Sequence, residues 1–98
     1  MDIGDYPLRG LSSASCSIDG QTLIVEAKNK KLFVLNAAGT KIWELSDGRH
    51  TIEDIITKIK LSSKKNEHQV RKETEDFIES LVERQVLVLL KQPLDVVA

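Results

Sequence analysis

Residues 32–48, LFVLNAAGTKIWELSDG, constrain the fold more than any other part of the chain. An apolar run suited to a β-strand ends at Asn36, which is a favourable N-cap for a helix over residues 36–46. Asp47-Gly48 supplies the stop for that helix, and a second helix begins at Thr51. A strand followed by closely spaced helices predicts an α+β fold. Nothing in this segment points to reaction chemistry, so it directs attention to binding rather than catalysis.

Two more strands are predicted before this segment, at residues 14–18 and 22–27. The dipeptide Asp19-Gly20 is a strong tight-turn signal between them. The polar residues KNKK at 28–31 then turn the chain into a third strand, and Asn29 is the residue there best suited to a positive φ. Three short strands joined by tight turns predict an antiparallel sheet.

The third strand, Leu32–Leu35, is apolar on both faces. Phe33 and Leu35 point to one side, whereas Leu32 and Val34 point to the other, because side chains alternate along a strand. Strands that are apolar on both sides are normally covered on both sides. We therefore expect something to cover each face of this strand.

The first helix offers Ala38, Ile42 and Leu45 as its apolar positions. Gly39 lies inside it and lowers helix stability by about 1 kcal/mol relative to alanine. A glycine retained at that cost indicates that another backbone packs closely against the helix at this point.

Two further helices and a short apolar segment complete the pattern. Thr51 and Asp54 approximate a capping box, and isoleucines at 52, 55, 56 and 59 form a stripe of helical period. The third helix, Asn66–Arg84, is the longest, and Val86–Leu90 reads as a short strand or tail. The predicted fold is α+β, a winged helix-turn-helix in which a three-stranded antiparallel sheet is followed by three helices.

The chain of 98 residues is long enough for one domain with a modest core. We expect a flexible N-terminal arm over residues 1–12, a folded domain over 13–92 and a C-terminal tail over 93–98. The single cysteine cannot form an internal disulfide, and no apolar run approaches the ~20 residues of a membrane span. These features predict a cytoplasmic protein without a membrane partner.

Catalytic and metal-binding patterns are missing from the sequence. His50 and His68 have no Cys, Asp or Glu partner at a recognised metal-ligand spacing. Cys16 lies in a predicted strand, where a cysteine is usually a small apolar residue. The five glycines are scattered and form no phosphate-binding loop. We expect no enzyme activity, no cofactor and no metal.

A winged helix-turn-helix often binds DNA through its third helix. Here residues 66–84 carry six acidic and three basic side chains, a net charge of -3, which repels a phosphate backbone. Two lysine clusters favour DNA binding instead: lysines 28, 30 and 31 at the hairpin tip, and lysines 58, 60, 64 and 65. Lysine-rich turns, however, commonly serve solubility. We expect no nucleic-acid partner, and keep a winged-helix nucleic-acid-binding regulator as the alternative.

Peptide binding by strand addition is a third interpretation. An extended peptide can pair with an exposed strand edge, where backbone hydrogen bonds supply affinity and alternate side chains supply specificity. Leu32–Leu35 is a candidate strand, and Val70, Thr74 and Phe77 can wall the other side of a groove. The same residues also fit a plain core contact between strand and helix, so the pattern leaves both interpretations open.

The whole series of elements resembles the PqqD family, whose members recognise the leader segments of peptides destined for modification. The resemblance covers about residues 14–90 and rests on the order and spacing of the set rather than on one motif. The matching positions are Leu35-Asn36, Ala37-Ala38, Ile42–Leu45, Asp47-Gly48, Thr51–Ile56, Val70, Asp76–Ile78, Leu81 and Val86-Leu87.

The resemblance implies a non-catalytic peptide chaperone, a recognition element of pathways that modify ribosomally made peptides. Such a protein binds the leader of a precursor peptide as an added strand and presents it to a modifying enzyme, such as a radical-SAM maturase. The resemblance implies no cofactor. The oligomeric state stays open between a monomer and a homodimer. Carried onto this chain, the peptide-binding residues are Lys31, Leu32, Phe33, Val34, Val70, Glu73, Thr74 and Phe77.

Two positions depart from the family pattern. The second strand, TLIVEAKNKK, lacks the aromatic-Pro-Glu element typical of members devoted to pyrroloquinoline quinone synthesis. This puts that pathway in doubt for the present chain. Gln85 stands where a glycine usually follows the third helix, so the helix end must either avoid the left-handed region or accept strain.

Overall fold

The structure, a computed structural model, describes residues 1–95. It contains five strands and three helices within those residues. In chain order they are β1 (Tyr6–Arg9), β2 (Ser13–Ile18), β3 (Gln21–Glu26), β4 (Lys31–Leu35), α1 (Ala37–Leu45), α2 (Ile52–Leu61), α3 (Glu67–Glu83) and β5 (Leu87–Leu90). The prediction of an α+β fold with a three-stranded antiparallel sheet followed by three helices is confirmed.

The three-stranded sheet has the order β2-β3-β4, so β4 forms an edge. Its first turn is the predicted one, since Asp19 and Gly20 both have positive φ values. In the second turn Lys30 has a φ of 54°, and the expectation for Asn29 was wrong. The buried Glu26 carboxylate accepts the N–H of Asn29 at 2.7 Å and therefore fixes the turn from inside.

Local capping explains where the helices begin. The side chains of Asn36 and Asn66 accept backbone N–H groups three residues later, at 2.9 and 2.8 Å. Thr51 and Asp54 form the predicted capping box, with both reciprocal bonds at 3.0 Å. Each cap satisfies an N–H that the first helical turn leaves without a partner.

The core lies between the sheet and the helices. The apolar side chains that are fully or nearly fully buried come from both layers: Ile24, Leu35, Ile42, Trp43, Ile52, Ile55, Ile56, Val70, Ile78, Leu81, Val86 and Leu87. Ala38, predicted as an apolar contact of α1, is exposed instead, because the helix turns Gly39, Thr40, Ile42 and Trp43 inward.

The N-terminal residues contain a strand, and the expectation that residues 1–12 form a loose arm was wrong for this part. β1 pairs antiparallel with β5, placing Tyr6 opposite Leu90. The Arg9 guanidinium donates to the carbonyl oxygens of Trp43 and Glu44 at the end of α1, at 2.6 and 3.0 Å. The segment is ordered by contacts that are distant in sequence, and its own residues carry only a weak strand signal.

The same N-terminal segment also caps α2. The carbonyl oxygens of Ile3 and Asp5 accept the N–H groups of Glu53 and Ile52, both at 3.0 Å. The Lys91 ammonium lies 2.8 Å from a carboxylate oxygen of the buried Asp5. These bonds tie the chain start to α2 and to the segment after β5. The predicted tail, residues 93–98, lies partly outside the described residues.

Candidate functional site

A groove of about 670 Å³ opens between β4 and the helices. Its apolar wall combines side chains from β4 and all three helices, and the residues that matter most here are Val34, Ile42, Ile59, Val70 and Phe77. Thr74, which is buried on α3, adds to the wall. The groove is thus a mainly apolar cleft built between secondary-structure elements, which is a common setting for ligand binding.

The helix caps explain why the groove has this shape. Asn36 ends β4 and begins α1 in one step, so the start of α1 lies beside the end of the strand. Gly39 then allows α3 to approach, since a Cβ atom placed there would lie 2.9 Å from Cζ of Phe77. The predicted close neighbour of Gly39 is therefore an aromatic side chain and not a backbone.

Charged groups lie at the rim of the groove. The Lys65 ammonium is 2.8 Å from a carboxylate oxygen of Glu73, and this hydrogen bond holds the pKa of Glu73 below its ordinary value. Lys41 donates to the hydroxyl of Ser62 at 2.8 Å. Glu73 is neutralised by an ion pair, whereas Lys41 contacts an uncharged group, so the rim carries a positive charge at the α1 side.

The backbone of β4 supplies a second kind of binding group. Within residues 1–95, β4 pairs with a strand along one side only, and that strand is β3. Alternate residues of an edge strand present N–H and C=O groups away from the sheet, where another strand can pair with them. An apolar groove next to a free strand edge can hold an extended peptide by backbone hydrogen bonds and side-chain pockets together.

A family model described as coenzyme PQQ synthesis protein D (PqqD) matches residues 21–87. The chain belongs to the PqqD family. Among solved structures it is similar to TbiB1 in complex with the TbiA(beta) leader peptide, with a TM-score of 0.75 and 23% sequence identity. That match covers 82% of this chain and 93% of the other, and it shows a shared fold. No curated protein matches the chain significantly.

For this PqqD family member, five of the eight residues predicted to bind peptide line the groove: Val34, Val70, Glu73, Thr74 and Phe77. Lys31, Leu32 and Phe33 lie outside its lining. Lys31 and Leu32 are exposed on β4, and Phe33 packs partly against the core with the Arg84 guanidinium 6.0 Å from its ring centre. The three residues remain on the edge strand beside the groove.

Sequence reasoning missed the contribution of α1 and α2 to this wall. Ile59 was predicted only as part of the apolar stripe of α2, and Ile42 only as an apolar position of α1, but both line the groove. Gly39 was the one local signal, because a glycine inside a helix indicates close packing. The other contacts depend on how three helices cross, which no single segment encodes.

The described residues also bear on two other functions, metal binding and membrane spanning. In residues 1–95, no group of three or more His, Cys, Asp or Glu side chains is placed to hold a metal ion. His50 instead contacts the carboxylate of Asp47, with 3.0 Å between Nδ1 and Oδ1. Over the same residues, no helix has both the length and the apolar composition needed to cross a membrane.

Proposed function

We propose that this protein is a non-catalytic peptide chaperone that binds the leader of a ribosomally made precursor peptide. One observation carries the proposal: the free edge of β4 runs beside an apolar groove whose far wall is α3. The PqqD family membership and the fold shared with TbiB1 support it. The bound leader would then be presented to a modifying enzyme, such as a radical-SAM maturase.

In the proposed complex the leader becomes a fourth strand next to β4. Every second leader side chain enters the groove and meets Val70, Thr74 and Phe77. The intervening side chains point to the outer side of the sheet, beside Leu32 and Val34. We therefore expect the recognised leader segment to carry apolar residues on both faces, with an acidic residue favoured near Lys41.

The energetics support moderate affinity. About four added backbone hydrogen bonds contribute ~0.5–1.5 kcal/mol each, and two or three apolar anchors contribute ~1.5–3 kcal/mol each. Ordering a disordered leader costs on the order of 2–5 kcal/mol, with a further loss of rigid-body freedom. With these contributions at the favourable end of their ranges, the balance reaches about -8 to -9 kcal/mol, which corresponds to a Kd of about one micromolar or slightly below.

The test is a calorimetric titration with leader peptides encoded beside the gene for this chain. Val34→Asp should abolish binding because it places an unpaired charge where an apolar anchor enters, and Thr74→Lys should weaken it by crowding the helix wall. Val88→Asp is the matched control, since it puts the same change on an exposed position of β5. Circular dichroism establishes that each variant is folded.

Backbone amide shifts locate the bound peptide independently. On adding the leader, we expect changes in residues 31–36 and 67–77, whereas the buried start of α2 at residues 52–56 should stay unchanged. A shift map centred on residues 52–56, or a folded Val34→Asp protein that binds the leader normally, would reject the proposed groove.

A further inference from the structure

The three-stranded sheet has an outer face that points away from all three helices. The strand register places seven apolar side chains on it: Ala14, Cys16, Ile18, Leu23, Val25, Leu32 and Val34. Five of them are large and exposed, at 65% for Ile18, 42% for Leu23, 41% for Val25, 68% for Leu32 and 69% for Val34. Nothing within residues 1–95 covers this outer face.

The pattern on β2 is the reverse of that expected for a solvated sheet. Its inward side chains are serines: Ser15 accepts the indole N–H of Trp43 at 3.1 Å, and Ser17 contacts the Thr22 hydroxyl at 3.1 Å. The exposed faces of antiparallel sheets are normally polar. Both sides of β2 are exposed, and its apolar residues occupy the side that faces away from the helices, which marks a contact surface for another protein.

We propose that the occupant is a second copy of this chain, stacked sheet against sheet. The seven side chains of the outer face bear no charge, so the surface is compatible with itself. Its two ends differ: Lys28 and Lys30 lie in the β3–β4 turn, and Asp19 lies in the β2–β3 turn. This difference in charge between the two ends distinguishes two possible arrangements, with the two-fold axis either perpendicular or parallel to the strands.

A two-fold axis perpendicular to the strands places Asp19 of each copy over the lysine-rich turn of the other. An axis parallel to the strands would instead stack lysines on lysines. Opposite charges attract and like charges repel across an interface, so the perpendicular axis is favoured. In that arrangement β2 lies over β2 of the partner, and Cys16 lies close to its counterpart.

The size of the outer face sets the strength of the dimer. Its exposed side chains offer on the order of 500 Å² per copy, or about 1,000 Å² for the pair, near the lower limit for a specific interface. We therefore expect a concentration-dependent dimer with a Kd on the order of 10–100 μM. Leu32 and Val34 belong both to this face and to the proposed peptide-binding residues, so a bound leader should weaken the dimer.

Sedimentation velocity at 5 and 500 μM tests the dimer. The protein should be mostly monomeric at the lower concentration and mostly dimeric at the higher one. Val25→Asp should keep it monomeric at 500 μM, with Leu32→Asp as a second variant at a more exposed position, whereas Val88→Asp should leave the dimer intact. Val25 lies outside the groove, so Val25→Asp should retain leader binding.

The arrangement is tested with the native cysteine and a short bismaleimide reagent. At 500 μM, Cys16 should be linked to Cys16 of the second copy, and Cys16→Ser should remove the product. Asp19→Lys should raise the dimer Kd at least threefold. A protein that stays monomeric at 500 μM, a dimer that survives Val25→Asp, or a dimer without the Cys16 product would overturn the proposal.

Discussion

The ring of Phe77 lies over Gly39, so close that a Cβ atom on Gly39 would stand 2.9 Å from Cζ of the ring. The same Cβ would lie 3.3 Å from Cβ of Leu35. Both neighbours line the groove. The glycine thus lets α1, α3 and the end of β4 meet at one point, and it is tolerated inside a helix for that reason.

Replacing Gly39 with alanine should destabilise the protein in spite of the better helix propensity. Alanine gains about 1 kcal/mol in the helix, but overpacking costs about 1–3 kcal/mol. We expect a net loss of about 1 kcal/mol in the free energy of unfolding, measured with urea. Displacing the Phe77 ring should also weaken leader binding by about tenfold, or 1.4 kcal/mol.

A double-mutant cycle separates the clash from other effects of the alanine. Phe77→Leu removes the end of the ring, so Gly39→Ala should cost less in that background than in the wild type. Additive effects of the two substitutions would show that Phe77 does not cause the loss.

Gln85 occupies the left-handed position that follows α3, with a φ of 64°. Its N–H bonds to the carbonyl of Val82 at 3.0 Å, and the N–H of Val86 bonds to the carbonyl of Leu81 at 3.1 Å. This is a Schellman motif, which glycine favours. The sequence left two outcomes open, in which the end of α3 either avoids the left-handed region or accepts strain there. The structure shows the second, because Gln85 adopts the left-handed conformation.

Gln85→Gly should therefore stabilise the protein. Relief of left-handed strain, ~1–2 kcal/mol, exceeds the added flexibility of glycine in the unfolded chain, so we expect a gain of about 0.5–1 kcal/mol and a rise in Tm of about 3–5 °C. Gln85→Ala is the control, because it shortens the side chain and keeps the strain. Equal stabilisation by alanine would point to the side chain instead.

The Asp5–Lys91 pair predicts how stability depends on pH. The Lys91 hydrogen bond holds the pKa of Asp5 below its ordinary value of 3.8. A carboxyl whose pKa is lower in the folded state stabilises the protein above the unfolded pKa, and that stabilisation is lost as the pH falls through the folded value. Urea midpoints should drop as the pH falls below the ordinary pKa of 3.8, and Asp5→Asn should reduce this drop. An unchanged slope in Asp5→Asn would assign the loss to other carboxyls.

The parts of the fold that were predictable from sequence are those decided within a few residues. The caps at Asn36, Thr51 and Asn66 depend on a side chain and an N–H three positions away, so the helix starts were correct. β1 was missed because its partner is β5, with Tyr6 opposite Leu90 at the far end of the chain. The fold also depends on contacts that a local pattern does not contain.

The groove shows the same division. The alternation in β4 correctly placed Leu32 and Val34 on one side. We expected another part of the protein to cover that side, but no residue within 1–95 does so. Periodicity correctly put Val70, Thr74 and Phe77 on one face of α3. Ile42 and Ile59 were predicted only as apolar positions of their helices, because only the crossing of α1 and α2 with α3 shows that they reach the groove.

The charge of α3 leads to a prediction against DNA binding. Residues 66–84 carry six acidic and three basic side chains, giving -3. Binding to a duplex requires cations that displace the counterions on phosphates. The lysines of the β3–β4 turn carry the opposite charge, but they lie at the hairpin tip rather than on α3. We expect no measurable duplex affinity at ~150 mM salt.

Charge variants make this prediction specific. If α3 faced a duplex, Glu75→Lys with Glu79→Lys would strengthen binding, and alanine at lysines 28, 30 and 31 would flatten its salt dependence. For a leader-binding protein, the two glutamate substitutions should leave leader affinity within about twofold, because neither residue lines the groove. Gel shifts on random and promoter-derived duplexes, run beside the leader titration, decide between the two. Site-specific duplex binding with a Kd below one micromolar would contradict this prediction and favour DNA binding over leader binding as the function of the winged helix.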